Sequence, residues 1–449
     1  MNLIYIHTHD SGREMEPYGI NANNPSLMRL ARESILFRNA HCVAPTCSPS
    51  RAAMLTGMTA HNCGMYGLAH RGFSINDYSK HLAQYLGKNG YYTALIGVQH
   101  EAKDPLVIGY EETHTDHVKK GKPAIVSDAK TLELALDFLE SKPYGDKPFF
   151  LSFGLRSTHR RYMECDHSND GYVKLPYPIA DNAENRHDYC EYLKTLDIVD
   201  NCVGKLLDKI IEYKLDSETV ILFTTDHGIA FPQMKGTLYD SGTGVALMLR
   251  IPQRAAKVSD ALVSHLDVFP TLCDVLGVEK PDWLQGNTLL PIIEGSADEI
   301  NEFIFTETTY HATYEPARAV RTKSMKLIRF FEDDRVIRLA NTDASACKET
   351  FISTPFHKLQ RPKEMLFDLL ADPAERVNLI GVPEYEDEYM KLSALLQEQM
   401  LKTNDPLLEG RLELRDPWTM NKIDAPDPDD TVYNCRGEVV KESKLSKRK

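Results

Sequence analysis

Near-continuous apolar runs, separated by amphipathic helical stretches, constrain this chain more than any other feature. Asn2–Thr8, Tyr91–Val98, Pro148–Leu155 and Thr219–Thr225 are apolar almost throughout, which predicts strands covered on both faces. Val245–Ile251 predicts another strand. Asn24-Pro25 opens a helix, with an N-cap asparagine, a proline at the first position, and Leu27, Leu30 and Ala31 on one face. Ser127–Glu140 carries Leu132, Leu136 and Leu139 in helical register, and a long helix is predicted from Glu184 to Tyr213. This alternation over the first two-thirds predicts an α/β fold, a mostly parallel sheet flanked by helices. Ligands of such sheets gather at the carboxyl ends of the strands, so the residues just after each strand carry the chemistry.

The last third changes character. Ala317–Arg321 and Lys326–Phe331 predict strands of a smaller antiparallel sheet, and a helix is predicted near Glu384–Leu401. After Asp416 the chain is polar and rich in Pro and Asp, then basic at Lys441–Lys449, as expected of a loosely held or packed arm. The expected division is a catalytic α/β domain over 1–316, a C-terminal α+β subdomain over 317–415 and a polar arm over 416–449.

Bulk properties exclude some roles. No apolar stretch is long enough to span a bilayer, so no membrane partner is expected. Met1 leads directly into a strand pattern rather than a signal peptide. Nine cysteines, odd in number and scattered, fit a reducing compartment, so a cytoplasmic protein is expected. A net charge of −13 argues against nucleic acid and against wrapping a polyanionic polymer. An anionic substrate would need a local basic pocket.

The run Cys47-Ser48-Pro49-Ser50-Arg51, continuing through Ala52-Ala53-Met54-Leu55-Thr56-Gly57, is the most specific motif. Pro49 suits the first turn of a helix, which places Cys47 just ahead of a helix N-terminus, where an anion is favoured. Arg51 lies one turn on and could pair with a tetrahedral oxyanion. Taken alone, Cys47 reads equally as a small buried apolar residue. The motif resembles the signature C-x-P-x-R…LTG of the type I, formylglycine-dependent sulfatases. That resemblance implies an alkaline-phosphatase-like fold. It also implies that a separate formylglycine-forming maturation enzyme oxidises Cys47 to an aldehyde. Once hydrated, one hydroxyl attacks sulfur and the other later expels sulfate.

The other strand ends extend the resemblance. His7-Thr8-His9-Asp10-Ser11-Gly12 follows the first strand, and Thr224-Thr225-Asp226-His227-Gly228 ends a later one. By resemblance, Asp10, Asp226 and His227, with an oxygen on Cys47, hold a divalent metal, calcium in most of the family. His9 stands where the family carries an aspartate, and joins the expected ligand set. Two imidazoles pull the preference toward manganese, zinc or iron. A bare reading keeps His9 as an outer hydrogen bonder, and Asp226-His227 as a capped turn. Within Ile96-Gly97-Val98-Gln99-His100, His100 matches the histidine that assists collapse of the sulfated intermediate, and Val98 replaces a supporting lysine. His159, in Ser157-Thr158-His159-Arg160, matches the acid for the leaving group. Lys235 matches the cation that binds the outer sulfate oxygens, against a bare reading as a solvated loop lysine.

Within the family, Ser34–Ala40, His61–Leu68 and Phe223–Pro232 lean toward the N-sulfatase branch. Glu364-Met365-Leu366-Phe367-Asp368-Leu369 resembles the C-terminal motif of sulfatases. The resemblance implies a sulfatase acting on a sulfate ester or sulfamate of a small saccharide, N-sulfoglucosamine-like, as in glycosaminoglycan degradation. The alternatives are a phosphonate or phosphate ester hydrolase of the same superfamily, an arylsulfatase, or a catalytically silent binding protein.

Overall fold

The computed structural model describes residues 1–115 and 124–444. Among them, eight strands form one sheet: β1 (Asn2–Thr8), β2 (Ile35–His41), β3 (Tyr92–Gly97), β4 (Glu112–His114), β5 (Phe149–Gly154), β6 (Thr219–Thr225), β7 (Leu247–Arg250) and β8 (Lys257–Ser264). Their order is β4-β3-β5-β1-β6-β7-β2-β8. β1, β3, β4, β5 and β6 pair in parallel, as do β2 and β8. Only β7 runs against its neighbours, β6 and β2.

The apolar runs follow from this burial. Side chains alternate across a strand, so both faces of a central strand need apolar residues. Ile4 and Ile6 of β1 join Phe149, Leu151 and Phe153 of β5 and Ile221 and Phe223 of β6 on one face. The long helix Ala183–Glu212 covers that face through Leu196, Val199 and Val203, and the helix Ala124–Ser141 through Leu132 and Leu139. Leu3, Tyr5, Phe150, Val220 and Leu222 point the other way, onto Leu82, Leu86, Phe269 and Leu272.

Two helix starts differ from expectation. Asn24 precedes α1 (Pro25–Arg32), but its side chain does not cap the helix. Its Oδ1 instead accepts the Glu16 backbone N–H at 3.2 Å, so the asparagine ties two loops together. α2 spans Cys47–Thr56 and begins at Cys47 rather than behind it, with Thr46 as its N-cap. Gly57 ends it in the left-handed conformation at φ 67°.

The second sheet holds β9 (Ile304–Tyr310), β10 (Tyr314–Arg321), β11 (Met325–Phe330) and β12 (Glu364–Asp368), antiparallel in the order β12-β11-β10-β9. Leu392, Leu396 and Met400 of the helix Glu386–Lys402 pack on its Phe305, Val320, Leu327 and Leu366. The expected boundary at 316 therefore falls inside β10, and the subdomain's sheet starts at Ile304. The hairpin that joins β9 to β10 makes them one hydrogen-bonded unit.

The arm forms a small antiparallel sheet of β13 (Thr419–Asn421), β14 (Val432–Asn434) and β15 (Val439–Lys441). Trp418 is buried, stacked on Phe73 at 4.6 Å and close to Tyr310 and Tyr66. The basic run from Lys441 continues past residue 444, outside the described residues. Among the described residues, no helix is long and apolar enough to cross a membrane.

Candidate active site

β1 and β6 lie side by side in register, with His7 opposite Thr224 and Thr8 opposite Thr225. The residues that follow each strand therefore emerge together. The Asp10 backbone N–H donates to Asp226 Oδ1 at 2.9 Å. Asp10 itself sits at φ 44°, a left-handed conformation that a non-glycine residue holds only when its surroundings fix it.

α2 brings Cys47 to the same point. Its Sγ lies 3.3 Å from His227 Nε2 and 3.8 Å from Asp10 Oδ1. His227 Nδ1–H donates to the Gly228 carbonyl at 2.9 Å, which leaves the Nε2 lone pair facing Cys47 and Asp10. Ser50 Oγ donates to the Asp226 carbonyl at 2.5 Å and anchors the first turn of α2. Arg51, fully buried, donates to Asp226 Oδ2 at 3.0 Å, to the Thr8 carbonyl at 2.7 Å and to His7 Nδ1 at 2.5 Å. Its guanidinium is thus fixed by the strand ends rather than free to swing.

His9 occupies the centre. Its ring meets His100 edge-on at 4.6 Å and His159 at 5.6 Å. Nδ1 lies 3.4 Å from Asp226 Oδ2 but is not aligned for a hydrogen bond, and both ring nitrogens are buried without one. Such orphaned polar atoms are costly unless something else binds them. His9, Asp10, Cys47 and Asp226 offer ligand atoms within 4.8 Å of one another.

Close packing of two loops places the remaining histidines. Gly97 ends β3 at φ 97°, and a Cβ there would lie 2.1 Å from the Gly154 carbonyl oxygen. A Cβ on Gly154 would lie 2.0 Å from the Val98 carbonyl oxygen and 2.6 Å from the His7 ring. Only glycines let the His100 and His159 loops approach this closely. Asp128 holds the second loop by accepting the Arg156 and Ser157 N–H groups at 2.7 and 2.8 Å. Arg160, next to His159, makes a forked pair with Asp188 on the long helix at 2.6 and 2.8 Å.

Lys235 is buried, donating to Asp10 Oδ2 at 2.8 Å and lying 3.0 Å from Asp343 Oδ2. Three functional-looking residues escaped the sequence reading. Asp343 comes from the C-terminal subdomain, in a polar loop with no motif. Its carboxyl is held well below its usual range; burial opposes this, and Lys235, His159 and His311 overcome it. His7, read only as part of its motif, accepts from Arg51 and contacts Ser152 Oγ at 3.1 Å. Glu101 is buried beside His100, whose backbone N–H it accepts at 3.2 Å.

The electrostatics are uneven. Burial, then the Arg51 charge, pushes the His9 imidazole well below its ordinary value, and burial, then His9, does the same to His100. Both are therefore neutral, the form in which an imidazole ligates a metal or accepts a proton. Burial raises the Cys47 thiol well above its ordinary value, Lys235 opposing, so it is not a free thiolate. Asp226 stays ionised: burial disfavours the charge, but His227, Arg51 and His9 hold its carboxyl well below the usual range. A cavity of about 210 Å³ opens beside His100, lined by Ser48, His70, Gln99, Lys103 and Arg156. This is a local basic pocket of the kind an acidic chain needs for an anionic substrate.

The sulfatase family model matches residues 2–278, and a second model, N-sulphoglucosamine sulphohydrolase, C-terminal, matches 232–361. The chain belongs to the sulfatase family, whose members hydrolyse sulfate esters and sulfamates. It is 28% identical to human N-sulphoglucosamine sulphohydrolase, over 95% of this chain and 92% of that protein. It is 23% identical to an N-acetylglucosamine-6-O-sulfatase of Bacteroides thetaiotaomicron, over 90% and 87%. Its fold matches BT4656 in complex with its substrate D-glucosamine-2-N,6-O-disulfate at TM-score 0.71 and 21% identity, over 90% and 98% of the two chains. BT1596, a 2-O GAG sulfatase, matches at TM-score 0.72 and 20% identity, over 91% and 93%.

Proposed function

We propose that this protein hydrolyses the sulfamate or a sulfate ester of a small N-sulfoglucosamine-like saccharide, using Cys47 converted to formylglycine. The observation that carries the reading is Cys47 in the first turn of α2, against Asp10 and His227, among two buried cations. The match of 232–361 to the N-sulphoglucosamine sulphohydrolase C-terminal model supports the choice of sugar.

His9, Asp10, Asp226 and His227, with the side chain at 47, would hold a divalent cation. The donor set fits one: two carboxylates and two imidazoles, of which His9 has both nitrogens unpaired. Calcium follows from family resemblance, and the imidazoles favour manganese or zinc. When bound, the cation stabilises negative charge on the nucleophilic oxygen and the transferring group.

The chain's own residues supply the rest. Arg51, locked by Asp226 and Thr8, offers fixed positive charge without reorganising, and so stabilises charge that develops at the nucleophile. Lys235 holds outer sulfate oxygens, exchanging part of its contact with Asp10 for the substrate. His159 donates a proton to the departing oxygen or nitrogen, and neutral His100 accepts one during release of sulfate. Lys103 and Arg156 in the adjoining pocket receive the anionic sugar.

The test is inorganic sulfate release from N-sulfoglucosamine by protein co-expressed with a formylglycine-forming enzyme, with Cys47→Ala as the blank. Release that depends on Cys47 supports the reading. No release from fully converted protein overturns the choice of sugar, and turnover of a phosphonate ester instead would replace the reaction.

A further inference from the structure

The loop that leaves β5 carries His159 and then, before the long helix, a second group of donor atoms. Cys165 Sγ lies 4.0 Å from His187 Nδ1. The same Nδ1 lies 3.0 and 3.2 Å from the two Asp170 oxygens. The Cys190 thiol lines the same cavity as Cys165. His187 and Cys190 are three residues apart on the long helix, so they share one face. Cys165, Asp170 and His187 offer ligand atoms within 4.8 Å of one another.

We propose that Cys165, Asp170 and His187, completed by a turn of the Cys190 side chain toward them, form a structural zinc site that clips the His159 loop to the long helix. Two sulfurs, one imidazole and one carboxylate make the four-ligand set of a closed site, and the thiols select zinc over calcium or magnesium. Tetrahedral bonds of about 2.3 Å to sulfur and about 2.0 Å to nitrogen put those two atoms about 3.5 Å apart. The observed 4.0 Å needs a contraction of about half an ångström, within reach of a rotamer adjustment. His187 Nε2 lies 3.7 Å from Glu191 Oε1, the outer carboxylate that commonly orients a metal-bound imidazole. His167 stacks on His187 at 4.0 Å and its Nδ1 lies 2.7 Å from Asp170, which fixes the carboxylate from its solvent side.

Access is open. A cavity of about 510 Å³ adjoins the cluster, and Glu164, Asp166 and Asp197 line it with Cys165 and Cys190. Zinc takes cysteine as thiolate, so uptake of one ion by the two thiols forms two zinc–sulfur bonds and releases their two protons to solvent.

The site stands apart from the proposed reaction, so its test is run in Cys47→Ser, which removes the active-site thiol. The full chain is stripped with chelator, reloaded with zinc alone and assayed by elemental analysis; a parallel sample is loaded with cobalt. The expected result is one zinc per chain more than the Cys165→Ser and Cys190→Ser variants hold, and a cobalt–thiolate absorption band in the near ultraviolet. That additional zinc and the band are lost in Cys165→Ser and in Cys190→Ser, and both persist in Asp10→Asn, which alters only the catalytic pole. Circular dichroism confirms that each variant is folded. Equal zinc in parent and cysteine variants, or cobalt bound with no thiolate band, overturns the proposal.

Discussion

Two buried clusters in this molecule have nearly the same composition and opposite character. At the catalytic pole, His9, Asp10, Asp226 and His227 surround Cys47 with Arg51 and Lys235. At the junction with the second sheet, His61, Glu307 and Asp405 surround Arg318. Counting donors would make either one a metal site. The junction, however, is saturated. Arg318 forks onto Asp405, with its NH2 at 3.0 Å, and also donates to the Thr308 carbonyl and Thr309 Oγ1. His61 Nδ1 takes Glu307 at 2.9 Å and Nε2 lies 3.3 Å from Thr59 Oγ1. The pole instead leaves both nitrogens of His9 unpaired and holds Asp10 in a left-handed conformation. At the junction the polar groups satisfy one another; at the pole His9 is left without a partner.

Variants can break that contrast. Cys47→Ala is expected to abolish sulfate release while leaving the thermal midpoint unchanged; retained turnover would remove the formylglycine mechanism. Lys235→Ala should lower kcat/KM by about 10²–10³, the usual loss of one preorganised donor, in a steady-state assay. Arg318→Met should do the reverse. Its loss strands Glu307 and Asp405, and costs about 3–5 kcal/mol in denaturant unfolding with little change in kcat for the folded fraction. If it abolished metal binding instead, the two clusters would not be separable. His227→Ala should reduce metal content by elemental analysis, and unchanged content would take it out of the ligand set.

The smallest effect is on pH dependence. Burial raises the Glu101 carboxyl from 4.5 to about 7, partly opposed by Arg51. The folded protein then binds a proton that the unfolded chain has already released. Stability from this group is full below about 4.5 and falls as pH rises through about 7. Glu101→Gln should flatten the thermal midpoint over that window; an unchanged slope would mean that Glu101 ionises normally in the fold.

The sequence was most legible where burial leaves no choice. β1 and β6 begin and end where the apolar runs do, because both faces are packed. β2 and β8 near the edge were not read as strands. Exposed Arg38 and a bulge between Phe37 and Asn39 break the pattern of β2, and Lys257, Ser259 and Asp260 break that of β8. At the site, residues tied to strand ends could be named, since topology alone brings strand ends together. Asp343 could not, because it arrives from another subdomain and nothing local marks its loop. Nor could the partners of Arg51 be foreseen: His7, Thr8 and Asp226 are contacts of tertiary packing.

The aromatic cluster under α2 has a consequence in time. Ala52 of α2 packs with Met65, Phe73 and Tyr310 around Trp418, so the wall behind α2 is completed by residues far down the chain. Cys47 is only 3% exposed in the folded chain. Under the proposed formylglycine mechanism, the enzyme that oxidises Cys47 would act while the chain is open. Synthesis at about 5–20 residues per second separates the emergence of Cys47 from that of Trp418 by about 20–70 s. The order of translation would then give that enzyme a window, which ends once Trp418 folds into place.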